Sequence, residues 1–394
     1  MDNSKENKVP MSSPEINEDD RQAVMDVLNT TSLSMGPKVD QFEQAVRDLT
    51  GSRHALAVSS GTSGLHLCIR AAGIEQGDLV ITTPFSFISS TNVILFEKAI
   101  PVFVDVDPLT GNMDAEQVSQ AIIDLRKGGK EAAQWLPRRL PGQPGKLKAV
   151  LSVDVFGQPA DYDKLTPVCK EHGLTIIEDS CEALGATYKG KPAGKFGKYG
   201  VFAFYPNKQI TTGEGGIIVT DDDADAAFMQ ALRNQGRAPG DAWLQHTYLG
   251  YNYRLDEMSA ALGLSQIKRL EHMLNSRAQV AAWYNQYLQE FPMIETPQVL
   301  PSTTRMSWFV YVIRLDGAIK RDEFARKLIA NDVPVRPYFL PIHLQPYIAG
   351  QFGYKKGDYP VTEELGERGL ALPFSSVMSE EQVIRVCEGM RKSL

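Results

Sequence analysis

The chain has no run of like charge, no closely paired cysteines and no apolar stretch of membrane length. Each absence removes a class of function. With a formal charge of -7 and no lysine or arginine cluster, it has no electrostatic footprint for nucleic acid. No segment approaches the roughly 20 apolar residues that cross a bilayer. The opening Met1 to Ser13 lacks the apolar core of a secretory signal, so neither insertion nor export is expected. Cys68, Cys169, Cys181 and Cys387 are scattered without CxxC spacing, which argues against zinc or a disulfide framework and suits a reducing cytoplasm, the expected location. No metal is expected. GxxxxGK[ST] is missing, which disfavours a nucleoside-triphosphate loop, and there is no repeat or low-complexity segment.

What is present is an alternation. At 394 residues and 43% hydrophobic, the chain can build a large domain and a smaller one. After a polar tail at 1–13, helices are expected from Ser13 through Val27 and from Val39 to Leu49. Strands follow at 54–58, 79–82, 102–106, 149–155 and 174–178, with helices from Leu65, Ser89, Ala115 and Tyr162 between them. Strands alternating with helices imply an α/β fold with a mostly parallel sheet covered on both faces, and ligands bind such sheets beyond the carboxyl ends of the strands. Gly61, Phe87, Asp107, Asp154 and Asp179 lie at or just past those ends.

The segment 126–148 reads as a surface loop. Strands are expected at 201–204 and 216–220, then helices at 224–234, at 256–275 and on through 278–290. Strand, helix, strand and helix at 308–315, 320–329, 333–339 and 380–390 suggest a smaller C-terminal α+β domain. The large domain is set at 14–275 and the small one at 276–394.

One lysine, Lys208, lies between the aromatic strand Phe202-Ala203-Phe204-Tyr205 and the turn Gly213-Glu214-Gly215-Gly216. Alone, it reads as a solvated loop residue. A neutral lysine amine attacks carbonyls to form a Schiff base, and an aldehyde cofactor held there needs three supports: an anion cradle, an aromatic cover and an acid at its ring nitrogen. Gly61 and Thr62 at a helix N-terminus could be the cradle, Phe87 the cover and Asp179 the acid. Taken singly, the Ser/Gly turn is a helix cap and Asp179 a turn acid.

In that order, Ser34-Met35-Gly36-Pro37, Ser59-Ser60-Gly61-Thr62-Ser63-Gly64, Pro84-Phe85-Ser86-Phe87, Asp105-Val106-Asp107, Gly157-Gln158-Pro159-Ala160-Asp161, Glu178-Asp179, Lys208 to Gly216, Gly250-Tyr251-Asn252-Tyr253-Arg254 and Pro341-Ile342-His343 resemble the DegT/DnrJ/EryC1/StrS sugar aminotransferases of fold type I. The resemblance implies pyridoxal 5'-phosphate as cofactor. It makes Lys208 the Schiff-base lysine and proton shuttle, Asp179 the ring-nitrogen partner, Gly61 and Thr62 the phosphate ligands, and Phe87 the ring cover. Asn252 would reach the phosphate of the neighbouring subunit's cofactor, which implies a homodimer with shared sites. Arg336, Tyr338 and His343 fall where the family often contacts substrate. The implied reaction moves an amino group from L-glutamate, through pyridoxamine phosphate, to a nucleotide-linked keto-sugar.

Three residues depart from the family pattern. Ala203 stands where Ser usually binds phosphate, and Asp154 stands where His is frequent. Glu182 stands where Gln commonly faces the cofactor's phenolic oxygen, so it must be protonated or turned away. Perosamine-type 4-aminotransferases are similar in carrying Glu there, which favours sugar C4 over C3. A non-sugar ketone or aldehyde acceptor, and a cofactor-binding regulatory protein without turnover, remain open alternatives.

Overall fold

Strands such as Leu79–Thr82 and Gly216–Thr220 are buried along their whole length, which is why they read as continuous apolar runs. In the computed structural model, which describes residues 9–394, they belong to a seven-stranded sheet. Its order is Ile100–Phe103, Leu79–Thr82, Leu147–Val153, Thr175–Asp179, Tyr199–Ala203, Gly216–Thr220 and His54–Val58. The first five run parallel, and Gly216–Thr220 is antiparallel to both of its neighbours. Because that reversal happens twice, the carboxyl end of His54–Val58 lies on the same edge as those of Thr175–Asp179 and Tyr199–Ala203. The register pairs Val153 with Asp179 and Asp179 with Val201 along that edge. The fold is α/β with a mostly parallel central sheet.

A second sheet of four strands is ordered Ile294–Glu295, Tyr311–Leu315, Gly369–Leu372 and Arg336–Pro337. The expected strand 333–339 shrinks to those last two residues, both exposed. The helix Leu270–Tyr287 runs unbroken through the boundary placed at 275. Its early residues Leu270, Met273 and Leu274 pack with Ile217 of the large sheet and with Phe204 just past the strand Tyr199–Ala203, and Val280, Ala281 and Tyr284 pack with Tyr311 and Leu372 of the small one. The expected helix 256–275 is two helices, broken between Ile267 and Leu270.

Two further expectations change. The first eight residues of the expected tail lie outside the described residues, but Val9 is buried in the core of the small sheet and the Met11 carbonyl accepts the Phe374 N–H. The first helix starts at Glu18, because the Asn17 side chain caps it by accepting the Asp20 N–H. Within 126–148, a short helix Gly129–Ala133 forms and the Trp135 indole donates to the buried Asp124, so an aromatic anchor ties this segment down. The Ser34 to Pro37 turn is held by the buried Glu257, whose carboxylate accepts the N–H groups of Gly36, Lys38 and Val39 and so caps the helix Pro37–Thr50.

Candidate active site

Gly61 opens the helix Gly61–Ala71 at the shared carboxyl edge of the sheet. Ser60 and Ser63 cap it reciprocally, which fixes the helix start and leaves the Gly61 and Thr62 N–H groups without intrahelical partners. A Cβ at Gly61 would lie 2.8 Å from both the Ala203 Cβ and the Cys181 Sγ. The helix start therefore seats directly on these two small side chains. Gly216, paired with both Val58 and Ala203, allows the approach from beneath, since a Cβ there would lie 2.6 Å from the Ser60 carbonyl carbon. An anion would meet free N–H groups and the positive end of the helix dipole here.

Asp179 ends its strand two residues before Cys181 and is 6% exposed. Its Oδ2 accepts the Ser90 hydroxyl at 2.6 Å and its Oδ1 accepts the Cys181 N–H at 3.3 Å. Burial pushes the Cys181 thiol well up, Asp179 pushes it further, and Lys208 opposes both. Asp179, Lys208 and Glu182 thus act on one thiol beneath Gly61.

Lys208 follows the strand Tyr199–Ala203 and is largely buried, its side chain 12% exposed. Its Nζ lies 3.7 Å from the Glu182 Oε1 and 3.8 Å from the centroid of the Phe309 ring. The main chain is fixed by Arg277, which donates to the carbonyls of Lys208 (2.7 Å), Trp308 (3.1 Å) and Phe309 (3.2 Å). One buried guanidinium therefore ties the lysine to the aromatic against which its amine rests. Burial lowers the Arg277 pKa to about 10, and the carbonyl fork is what offsets the desolvation.

Glu182 faces the lysine while its Oε2 accepts the Phe156 N–H at 2.9 Å. Phe156 has φ 58, a left-handed conformation uncommon for an aromatic, which is stored strain at the site. Burial pushes the Glu182 carboxyl up to about 7, against the pull of Lys208. Asp154, fully buried, accepts the Ser180 hydroxyl (2.6 Å), the Tyr162 hydroxyl (2.7 Å) and the Ala160 N–H (2.9 Å). It is a structural acceptor that ties the chain after Asp179 to the helix Tyr162–Glu171, and burial raises its pKa.

The other expected residues are placed differently. Thr62 shares a hydroxyl hydrogen bond with Ser89 at 2.9 Å. The Phe87 ring is 63% exposed in the single chain. Asn252 is exposed on a segment bridged to Asn234. Tyr338 is half-buried beside Phe156 and Phe309, with ring centroids 6.1 and 6.3 Å away. Arg336 is exposed and donates to its neighbour's carbonyl at Val335. His343 is fully buried with its Nε2 on Glu363 at 2.9 Å, so its ring offers no polar atom to solvent. Its Nδ1 is buried as well and has no hydrogen-bond partner among the described residues.

Arg277, Phe309, Phe156 and Ser90 were not singled out from the sequence. Phe309 lies inside an apolar run that reads as strand, and Arg277 falls between the helices expected at 256–275 and 278–290, with no local signal. Among the described residues, no group of three His, Cys, Asp or Glu side chains could hold a metal ion.

The sequence matches the DegT/DnrJ/EryC1/StrS aminotransferase family over residues 14–391. It is similar to GDP-perosamine synthase of Caulobacter vibrioides, 35% identical with 98% of each chain covered. It is also similar to the spore coat polysaccharide biosynthesis protein SpsC of Bacillus subtilis, 35% identical over 97% of this chain and 96% of the relative. Among solved structures, Helicobacter pylori PseC, an aminotransferase involved in the biosynthesis of pseudoaminic acid, superposes with TM-score 0.86 at 27% identity, covering 98% of this chain and 99% of that one. A match of this extent, on a fold that carries a buried lysine at the edge of a parallel sheet, makes the chain a transaminase and a member of the DegT/DnrJ/EryC1/StrS aminotransferase family.

Proposed function

We propose that this chain uses pyridoxal phosphate to move the amino group of L-glutamate to a nucleotide-linked keto-sugar, at C4 in preference to C3. The observation that carries the reading is a largely buried Lys208 amine 3.7 Å from the buried Glu182 carboxyl and 3.8 Å from the Phe309 ring, with Asp179 at the same sheet edge held by Ser90 and the Cys181 N–H. The residues fit the cofactor. The helix start at Gly61 and Thr62 presents free N–H groups and is seated on two small side chains, Asp179 has one short hydroxyl donor, and a largely buried amine rests on an aromatic face. When bound, pyridoxal phosphate supplies an electron-withdrawing ring that accepts the electrons freed at the substrate carbon.

The protein's own groups do the rest. The Gly61 and Thr62 N–H groups bind the phosphate, with no hydroxyl from Ala203. The Asp179 carboxylate holds positive charge on the ring nitrogen. The Lys208 Nζ takes the α-proton of L-glutamate and, in the second half, gives a proton to the sugar carbon that receives nitrogen. Phe87 covers the ring, and Asn252 serves the neighbouring subunit's phosphate, so the working unit is a homodimer. Tyr338 and Arg336 border the substrate side. The relatives named GDP-perosamine synthase support a nucleotide sugar as acceptor, and Glu182 supports C4.

The test is to load the protein with pyridoxamine phosphate, add nucleotide-linked 4-keto and 3-keto sugars separately, and identify products by mass spectrometry and NMR. An amine at C4 is expected. Absence of any sugar amine from a protein that still deaminates L-glutamate would remove the sugar acceptor from the account.

A further inference from the structure

We propose that Ser89 and Ser90, neighbours on the first turn of the helix Ser89–Phe96, are positioning residues for the two ends of the cofactor site. Ser89 holds the phosphate end through Thr62, and Ser90 holds the ring end through Asp179. The inference rests on reading the site as one for pyridoxal phosphate.

Serines at a helix start ordinarily cap their own helix. Here the N-cap residue is Ile88 and no side chain caps the helix, so the two hydroxyls are free to reach other elements. The Ser90 Oγ lies 2.6 Å from the Asp179 Oδ2, 3.3 Å from the Phe87 carbonyl and 2.9 Å from the Ser86 Oγ. It has one proton. The short contact to a carboxylate is the charge-assisted one, so that proton goes to Asp179 and the Ser86 hydroxyl donates to Ser90 in turn. Ser86 and Ser90 are both buried, so no water competes for the chain of donors. With Oδ2 held by Ser90 and Oδ1 by the Cys181 N–H, the carboxylate plane is fixed, and each oxygen keeps a lone pair for a ring nitrogen.

One residue earlier, the Ser89 Oγ lies 2.9 Å from the Thr62 Oγ1, on the second residue of the helix that forms the phosphate cradle. One helical turn thus links the cradle to the acid, and Phe87 lies two residues before it.

The test measures dissociation constants of full-length, cofactor-free protein for pyridoxal phosphate and for pyridoxal, which lacks the phosphate, in wild type, Ser89→Ala, Ser90→Ala and Ser90→Thr. Ser90→Ala is expected to weaken both ligands about ten-fold, the scale of a lost hydrogen bond to a charged group, and Ser90→Thr to restore both. Ser89→Ala is expected to weaken pyridoxal phosphate several-fold and leave pyridoxal unchanged. Loss of packing alone would not divide the ligands this way. Wild-type binding of both ligands by Ser90→Ala, equal impairment in Ser90→Ala and Ser90→Thr, or a Ser89→Ala defect shared by both ligands would overturn the proposal alone. A wild type that binds neither ligand would overturn it together with the cofactor reading.

Discussion

Glu182 shows how burial sets the chemistry of a single side chain. It is 6% exposed, and desolvation lifts its pKa from 4.5 to about 7 although Lys208 lies 3.7 Å away. The folded protein therefore holds a proton that the unfolded chain releases. The associated stability is fully present below about pH 4.5 and is lost as pH rises through about 7, on the order of 3 kcal/mol. Asp154 and Glu178 are also raised by burial and add to the same slope. The melting temperature of cofactor-free protein should fall between about pH 5 and pH 8, and Glu182→Gln should flatten part of that fall because the amide does not titrate. Parallel pH profiles for the two proteins would show that Glu182 keeps an ordinary pKa. Burial thus favours the neutral form of Glu182, the form that would set no second anion against the phenolic oxygen of the proposed cofactor.

At the scale of elements, the Gly61–Ala71 helix is seated by what it lacks. A Cβ at Gly61 would lie 2.8 Å from the Cys181 Sγ and the Ala203 Cβ, closer than carbon and sulfur pack. Gly61→Ala should therefore cost about 1 to 3 kcal/mol of stability, read by chemical denaturation, and weaken phosphate binding by lifting the helix start. An alanine variant with unchanged stability and cofactor affinity would mean that the seat has slack. Much of this arrangement was legible in the sequence. Continuous apolar runs marked the buried strands, and Asp179 and Lys208 followed strand ends that a parallel sheet brings to one edge. The residues missed were those whose partners are remote. Arg277 meets Lys208 across 69 positions and Phe156 meets Glu182 across 26, and neither carries a periodic pattern that announces the contact. Elements of two residues, such as Arg336–Pro337, are set by pairing with Gly369–Leu372 and not by their own propensities.

For the whole molecule, the apolar side chains left outside are as informative as the core. Met35, Phe87, Tyr205, Trp243 and Leu249 are 63%, 63%, 53%, 81% and 82% exposed in the single chain. Under the proposed homodimer, these are side chains that a second copy could cover, and Asn252 is exposed as well. Under the shared-site account, Lys208→Ala is inactive and Asn252→Ala impaired, yet their co-expression restores activity, because each hybrid dimer keeps one site with both residues intact. Failure to complement, with hybrids verified by mass, would place Asn252 in its own subunit's site or in none. The central claim, that Lys208 drives amino transfer from L-glutamate on pyridoxal phosphate, has a more direct test. Cofactor-loaded wild type and Lys208→Ala are each mixed with L-glutamate while the visible cofactor band and 2-oxoglutarate are followed together. The account expects wild type to lose the band and release one 2-oxoglutarate per site, and Lys208→Ala to release none on that timescale. An unchanged band in wild type, or equal release by Lys208→Ala, would contradict it.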